Sequence, residues 1–111
     1  MSIKVTVEEL PDTLADMAPA AFLSTAGADG RPKVTHVPVR VVGSTLEAPV
    51  GAGTAANIGR QPLVCLVWPG SDDQSMSLLV DAVGSIEERD GEQVAVFHPS
   101  GAVWHRPAPA A

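Results

Sequence analysis

A β-hairpin signal runs through residues 21–42 of this chain, AFLSTAGADGRPKVTHVPVRVV. Residues 21–26 form a short, mostly apolar run that predicts a strand, and the GADG sequence at 27–30 predicts a tight turn. Residues 31–42 predict a long second strand, because valines recur there at alternate positions and would share one face. Pro38 cannot donate a hydrogen bond to a ladder, so it marks an edge or a bulge in that second strand.

The remaining sequence predicts more short strands with tight turns between them. These further strands are expected at residues 45–50, 63–68, 76–88, 93–98 and 102–105. A short helix is expected from about Pro11, after a capping box formed by Thr6 and Glu9, and a second helical segment at 54–60. The strands lack crossover helices of ~12 residues between them, which excludes a doubly wound parallel sheet. The pattern therefore predicts a mainly β, antiparallel barrel or sandwich with one short N-terminal helix and one short helix in the middle.

One predicted strand, at residues 63–68, is apolar without interruption. Strands that alternate apolar and polar residues have one face in water, whereas a continuous apolar run is typical of a strand covered on both faces. We therefore expect both faces of this strand to be covered.

The composition limits the class of protein. A chain of 111 residues allows one domain, predicted at residues 4–106, with a loose tail at 107–111. A net charge of −6 and 4% aromatic residues argue against nucleic acid as a partner. Cys65 has no second cysteine to pair with, and the amino end carries acidic residues instead of a basic and apolar leader. These features indicate a cytoplasmic protein that does not insert into membranes.

The charge is unevenly distributed along the chain. Between Gly30 and Gly70 four cations stand against one acidic residue, Glu47, which leaves this segment at +3 and the remainder at −9. With so few charges, scatter by chance is one explanation. The other is a small site for an anionic ligand, built from the central third of the chain.

The glycines at the start of the second helical segment could serve such a ligand. Residues 51–56, GAGTAA, match the dinucleotide fingerprint G-x-G-x-x-A, but the twelve residues between Val50 and Leu63 hold a helical turn or two rather than a full crossover helix. Backbone N–H groups at a helix start suit a phosphate, to which Thr54 could add a hydroxyl and Arg60 a positive charge. Alternatively, Thr54 is only an N-cap and the glycines only a turn.

The histidines do not predict a metal site. His36, His98 and His105 have neither a His-x-His spacing nor a nearby glutamate of the kind that catalytic metal sites use. Separate surface or capping histidines explain them better, so we predict no metal and no catalytic side chain. Any catalysis would come from a cofactor.

Three sequence segments resemble the pyridoxamine 5′-phosphate oxidase-like superfamily, in its order and spacing. Residues 21–34, AFLSTAGADGRPKV, resemble its opening hairpin, in which an apolar strand ends in Thr and a D-G-R-P turn follows. Residues 57–64, NIGRQPLV, resemble its N-L-x-R-x-P-x-V segment, and residues 76–81, MSLLVD, resemble its next long strand. The carboxyl end, Pro99 to Pro107, is similar to that of short actinobacterial members.

The resemblance implies an FMN-binding split β-barrel, here six- to seven-stranded and antiparallel, which forms homodimers with cofactor sites at the subunit interface. It implies a flavin phosphate held by basic and hydroxyl residues, and an isoalloxazine ring that lies along the backbone of the second strand. The cofactor-binding residues implied in this way are Arg40, Thr54 and Arg60 for the phosphate and His36, Val37 and Pro38 for the ring.

Two departures from the family pattern bear on function. Members that bind FMN or a deazaflavin commonly carry Lys at or next to the position of Thr54, and this chain has Thr54-Ala55-Ala56 there. The chain also lacks the carboxyl-terminal substrate segment of the oxidase itself, so oxidation of pyridoxamine phosphate is not expected.

Two functions remain open at this stage. The first is an FMN- or deazaflavin-dependent oxidoreductase of unknown substrate. The second is a cofactor-free dimeric split-barrel protein that binds a small apolar ligand. Four side chains distinguish the two functions: Arg31, Arg40, Arg60 and His36. The first function is favoured if they converge at one groove, and the second if they point apart into solvent.

Overall fold

A computed structural model describes residues 2–72 and 74–109. Within that part of the chain, eight strands form one antiparallel sheet, accompanied by two α-helices. The strands are β1 (Ser2–Val5), β2 (Ala20–Ala26), β3 (Pro32–Pro38), β4 (Arg40–Val42), β5 (Thr45–Pro49), β6 (Leu63–Trp68), β7 (Ser77–Arg89) and β8 (Glu92–His105), and the helices are α1 (Leu10–Ala15) and α2 (Ala52–Arg60). The mainly β, antiparallel prediction with a short N-terminal helix and a short central one is confirmed, with eight strands instead of the predicted six to seven.

The sheet curls into a barrel, and the two strands at its ends are consecutive in sequence. Its strand order is β3-β2-β6-β7-β8-β5-β4, with β1 paired to β8. The two ends of this order, β3 and β4, are separated in sequence by Val39 alone, so the sheet must curl until its ends meet. The Val39 N–H leaves the ladder and donates to the Pro19 carbonyl at 2.7 Å. The irregularity predicted at Pro38 is therefore a break between two strands.

The predicted hairpin is formed by β2 and β3. Their register runs from Ala20 opposite Pro38 to Ala26 opposite Pro32. The Gly27 N–H donates to the Arg31 carbonyl at 2.8 Å and closes the turn. Gly30 has φ 83°, a conformation that glycine adopts without steric cost.

The carboxyl-terminal half differs from the prediction in continuity. Residues 92–105 form one long strand, β8, instead of two short ones. Asp81 of β7 lies opposite Gly101 and Ala82 opposite Pro99, so Ser100 is an extra residue in a bulge. The bulge accommodates Pro99 without ending the strand. Strand β1, which was not predicted, pairs with the last four residues of β8.

The core fills the inside of the barrel. Phe97, Leu23, Leu66 and Leu78 are each fully buried there. Helix α1 contributes further buried side chains and follows a 3-10 turn that starts with the predicted capping box at Thr6. In the described residues, no helix is long and apolar enough to cross a membrane.

The ends of the predicted domain need one qualification. The domain predicted at residues 4–106 stays a prediction, and β1 already includes Ser2 and Ile3. Of the predicted tail at 107–111, residues 107–109 have no regular secondary structure, and Ala110 and Ala111 lie outside the described residues.

Candidate functional site

The amino end of α2 brings together a helix start and a positively charged side chain. Gly51 is the N-cap and provides no side-chain hydrogen bond to the first-turn N–H groups. The Lys33 ammonium reaches this point from β3, since a Cβ placed on Gly53 would lie 2.9 Å from Lys33 Nζ. Both the helix start and the ammonium are electropositive, and none of the ion pairs in the described residues involves Lys33. This locus therefore has the electrostatic character of an anion site.

Two threonines lie on the elements that form this positive locus, Thr35 on β3 and Thr54 on α2. Thr35 is two residues along β3 from Lys33 and so lies on the same face of the strand. Its Oγ1 is buried without a hydrogen-bond partner among the described residues. Thr54 lies in the first turn of α2 and is 3% exposed. The Thr35 hydroxyl has unused capacity to donate to a bound group.

The opposite end of α2 is fixed to the barrel by a short hydrogen-bond chain. The Arg60 Nη2 donates to Asn57 Oδ1 at 2.6 Å, and Asn57 Nδ2 donates to Thr25 Oγ1 at 3.1 Å. Asn57 and Thr25 are buried, so each finds the partner that a buried polar group needs. Arg60 thus orients the Asn57 side chain, which in turn contacts Thr25 of β2.

A second charged cluster lies on strands β4, β5 and β7. The Glu47 side chain is 8% exposed and accepts two hydrogen bonds from Arg89, at 2.7 and 3.0 Å, and one from Arg40 at 3.2 Å. Arg89 also donates to Glu87. The hydrogen bonds from Arg89 and then Arg40 outweigh desolvation and lower the pKa of Glu47 from 4.5 to about 2. Glu47 is therefore ionised at neutral pH and neutralises one of the two guanidinium groups.

A groove of about 390 Å³ opens beside this cluster. Its lining combines Arg40, Glu47 and Arg89 with apolar residues that include Pro38 and Val94. It can hold a small molecule with an apolar body.

The structure spreads the six predicted cofactor residues over several places. His36 stacks on Phe22 on the outside of the sheet, with ring centroids 4.5 Å apart, whereas Val37 is 5% exposed and belongs to the core. Pro38 and Arg40 line the groove, and Arg40 is paired with Glu47.

Thr54 and Arg60 are on the same helix but at its two ends. They are six residues apart, which is ~9 Å along the helix axis and on different faces. Arg31, Arg40, Arg60 and His36 likewise do not meet in one groove of this chain, although Arg40 and Arg60 bind protein partners instead of pointing into solvent.

Sequence reasoning missed Lys33 as a site residue. Lys33 counted toward the positive central segment, but its place beside α2 depends on the hairpin register, which sets it opposite Thr25. Because β2 contacts α2, a side chain at that register position can reach the helix start. A prediction of the hairpin register, together with the absence of a lysine at or next to Thr54, would have identified Lys33.

Other chemistry-bearing groups in the described residues add no second site. Burial and the neighbouring Asp81 carboxylate raise the pKa of the Cys65 thiol, which keeps it in the less nucleophilic neutral form. In the described part of the chain, no group of three or more His, Cys, Asp or Glu side chains is placed to hold a metal ion.

The strand order and the break between β3 and β4 define a split β-barrel, and comparison with solved structures agrees. Forty-three solved chains match this structure. A Listeria innocua protein provisionally named a pyridoxamine 5′-phosphate oxidase matches with a TM-score of 0.74 at 16% identity, over 88% of this chain and 96% of that one. The split barrel of the pyridoxamine 5′-phosphate oxidase-like proteins is thus the fold of this chain, as the sequence resemblance implied.

Proteins with other names share this fold. A protein named F420 reductase matches with a TM-score of 0.66 at 16% identity, over 82% of this chain and 94% of that one. A haem-binding protein from Mycobacterium smegmatis matches with a TM-score of 0.71 at 16% identity, over 93% of this chain and 55% of that one. No family model matches the chain, and no curated protein matches it.

Proposed function

We propose that this protein binds FMN or a deazaflavin, with the cofactor phosphate at the amino end of α2, and acts as a flavin-type oxidoreductase. The observation that carries the proposal is the approach of Lys33 Nζ to Gly53 at a helix start without a side-chain cap. Structural neighbours named for pyridoxamine 5′-phosphate oxidase and F420 reductase support the choice of cofactor class.

The residues at this locus fit a phosphate group. Lys33 would supply the positive charge that is missing at or next to Thr54, and the first-turn N–H groups of α2 would donate to phosphate oxygens. Thr35, on the same face of β3 as Lys33, has a buried hydroxyl without a partner among the described residues and would add a donor. The absence of a side chain at Gly53 leaves the space that Lys33 Nζ uses.

The sequence-predicted residues receive different roles in this proposal. Thr54 lies at the phosphate end of the helix, and Arg60 acts indirectly by holding Asn57 in place. His36, Val37 and Pro38 remain the predicted backbone support for the ring. Arg40 would contribute its remaining N–H groups at the groove, since one hydrogen bond ties it to Glu47.

The chemistry would be divided between cofactor and protein. A flavin supplies hydride transfer, which this chain has no side-chain set to perform. The protein would hold the phosphate at Lys33 and keep water from the ring with the apolar residues of the groove, such as Pro38. We further propose that the protein is a homodimer, because strand edges and apolar surface are left uncovered in one copy. Its single cysteine supports a cytoplasmic location.

A second candidate function is cofactor-free binding of a small apolar ligand. The groove of about 390 Å³ favours it, because Pro19, Pro38, Pro49 and Val94 give it apolar walls and Glu47 occupies its arginines. In that case the positive charge at Lys33 would have no part in ligand binding.

The two functions are separated by titrating the purified protein with FMN and with riboflavin, which lacks the phosphate. For Lys33→Ala we expect FMN affinity to fall roughly tenfold or more, because a charge-assisted contact is worth ~1.5–3 kcal/mol. Riboflavin affinity should not change. Lys4→Ala, which removes an exposed lysine from β1, is the matched control and should bind FMN like the unaltered protein.

Two results would decide against the proposal. Equal FMN affinity in Lys33→Ala and the unaltered protein would remove the phosphate from this helix start. Absence of any flavin binding, together with binding of apolar probes in the groove, would favour the cofactor-free function.

A further inference from the structure

The groove beside the Glu47 cluster contains two arginines, and each of them already has a carboxylate partner. Arg89 donates to Glu47 through both terminal nitrogens and to Glu87 through Nε. Arg40 donates to the same Glu47 carboxylate at 3.2 Å. The Glu47 side chain is 8% exposed and stays ionised at neutral pH, because these hydrogen bonds lower its pKa from 4.5 to about 2. The arginines therefore do not make this groove an anion site.

The rim of the groove carries negative charge without a matching cation. Asp90 and Glu92 line the groove at the turn between β7 and β8, and both are exposed. Neither of them belongs to an ion pair among the described residues. The lining thus holds three carboxylates against two guanidinium groups, which is a net charge of −1. An anion that enters the groove is repelled by this excess, and a cation is attracted.

The remaining walls of the groove are apolar and suit the body of a small molecule. Pro49 of β5 lies opposite Val94 of β8 in the strand register. Pro19, Pro38 and Val39 complete the apolar lining. A concave space of about 390 Å³ with apolar walls and a few charged groups has the usual form of a small-molecule site.

We propose that Glu47 determines the charge preference of this groove, because it pairs with both arginines and thereby selects small apolar molecules that carry a positive charge, such as aryl or alkyl amines. The ammonium group of the ligand would lie at Asp90 and Glu92, and its apolar body between Pro49 and Val94.

Removal of the Glu47 charge would reverse this preference. The lining would lose its net negative charge, and Arg40, whose side chain is 73% exposed, would have no carboxylate partner among the described residues. A guanidinium group beside apolar walls is a suitable site for a carboxylate ligand. The groove belongs to both functions proposed above, so this inference holds with or without flavin at α2.

Three probes with the same apolar body separate the effect of charge from that of shape. They are benzylamine, which is protonated at neutral pH, benzyl alcohol and benzoate. Isothermal titration of the purified, flavin-free protein should give affinities that decrease in this order. For Glu47→Gln we expect benzoate to bind at least about tenfold more tightly than to the unaltered protein, because Arg40 becomes available for a charge-assisted contact. The affinity for benzyl alcohol should change least.

The matched control is Glu88→Gln. Glu88 is exposed on β7 and does not line the groove, so this substitution removes the same charge at a different place. All three probe affinities should stay as in the unaltered protein. Addition of Arg40→Gln to Glu47→Gln should remove the gained benzoate affinity, which would identify Arg40 as the group that binds the carboxylate.

A substitution at the exposed rim keeps the test independent of the part that Glu47 plays in folding. Glu92→Gln should weaken benzylamine binding roughly two- to fivefold, as expected for an exposed charge pair. Circular dichroism checks the fold of each variant. If Glu47→Gln does not fold, a loss of benzylamine affinity in Glu92→Gln but not in Glu88→Gln supports the inference, and equal affinities in the two variants overturn it.

Three other results would also overturn the inference. Benzoate could bind the unaltered protein as tightly as benzylamine, none of the three probes could bind, or folded Glu47→Gln could keep the original order of affinities. FMN affinity is tested separately through Lys33, so failure here and failure of the flavin proposal are distinguishable.

Discussion

Glu47 shows how one buried carboxylate can be stabilised by two guanidinium groups, one of them distant in sequence. It accepts from Arg89, 42 residues later, and from Arg40 on the adjacent strand. Removing the negative charge would leave the guanidinium of Arg89 with a weaker partner in a half-buried position. We expect Glu47→Gln to lower the melting temperature by ~5 °C or more for a domain of this size.

The matched control for this substitution is Glu88→Gln. Glu88 is exposed on β7 and takes part in none of the ion pairs among the described residues. Exposed charges contribute little to stability, so its melting temperature should stay close to that of the unaltered protein. Thermal unfolding gives the melting temperature of each variant. Equal decreases in both would show that the cluster at Glu47 has no special role in stability.

The candidate site was predictable at some residues and not at others. The glycines and Thr54 were identified because a helix start has a local sequence signature. Lys33 was not, because its role depends on cross-strand register and on side-chain reach, which leave no local pattern. The charge of Arg60 points to a phosphate, which stays a prediction, whereas its hydrogen bond to Asn57 is visible only in three dimensions.

The contact between α2 and β7 depends on the absence of a side chain at Gly84. A Cβ on Gly84 would lie 3.1 Å from Ile58 Cγ2, and the Gly84 N–H donates to the Pro62 carbonyl at 2.8 Å. Gly84→Ala should therefore push α2 away from the sheet and destabilise the protein by ~1–3 kcal/mol. Urea unfolding measures the decrease in the free energy of unfolding.

Gly101 gives the control for the substitution at Gly84. It lies in β8, and a Cβ there would meet nothing within 4 Å. Gly101→Ala should be neutral or slightly stabilising, because alanine reduces the freedom of the unfolded chain. If both alanine variants unfold at the same urea concentration, the close approach of Ile58 is not what requires glycine at position 84.

The elements that the sequence predicted best are those with local signals. The hairpin of β2 and β3 has its turn glycines, and β6 has its uninterrupted apolar run. Strand β1 has four residues and a partner about a hundred residues away, so nothing local marks it. Pro99 and Gly101 predict a gap between two strands, whereas β8 is continuous. The bulge that tolerates them depends on pairing with β7 and not on their own conformational preference.

For the molecule as a whole, the Glu47 cluster ties the edge strand β4 to the middle of the sheet. Arg40, Glu47 and Arg89 belong to β4, β5 and β7, so their charges link the edge of the sheet to its middle. The hydrogen bonds from Arg89 and Arg40 depress the folded-state pKa of Glu47 from 4.5 to about 2. Its ionised form is therefore more favourable in the folded state than in the unfolded one.

The sign of the resulting pH dependence follows from this depressed pKa. The contribution of Glu47 to stability is fully present above pH 4.5 and is lost as the pH falls toward about 2. Asp72 acts in the same direction, because the Ser75 hydroxyl and backbone N–H groups lower its pKa. Urea unfolding from neutral pH down through this range should show stability that is constant at first and then declines. Glu47→Gln should start lower and decline less steeply, with the residual slope due to Asp72 and other carboxylates. Parallel curves for the two proteins would contradict the assignment, since the variant has no carboxylate at position 47 to titrate.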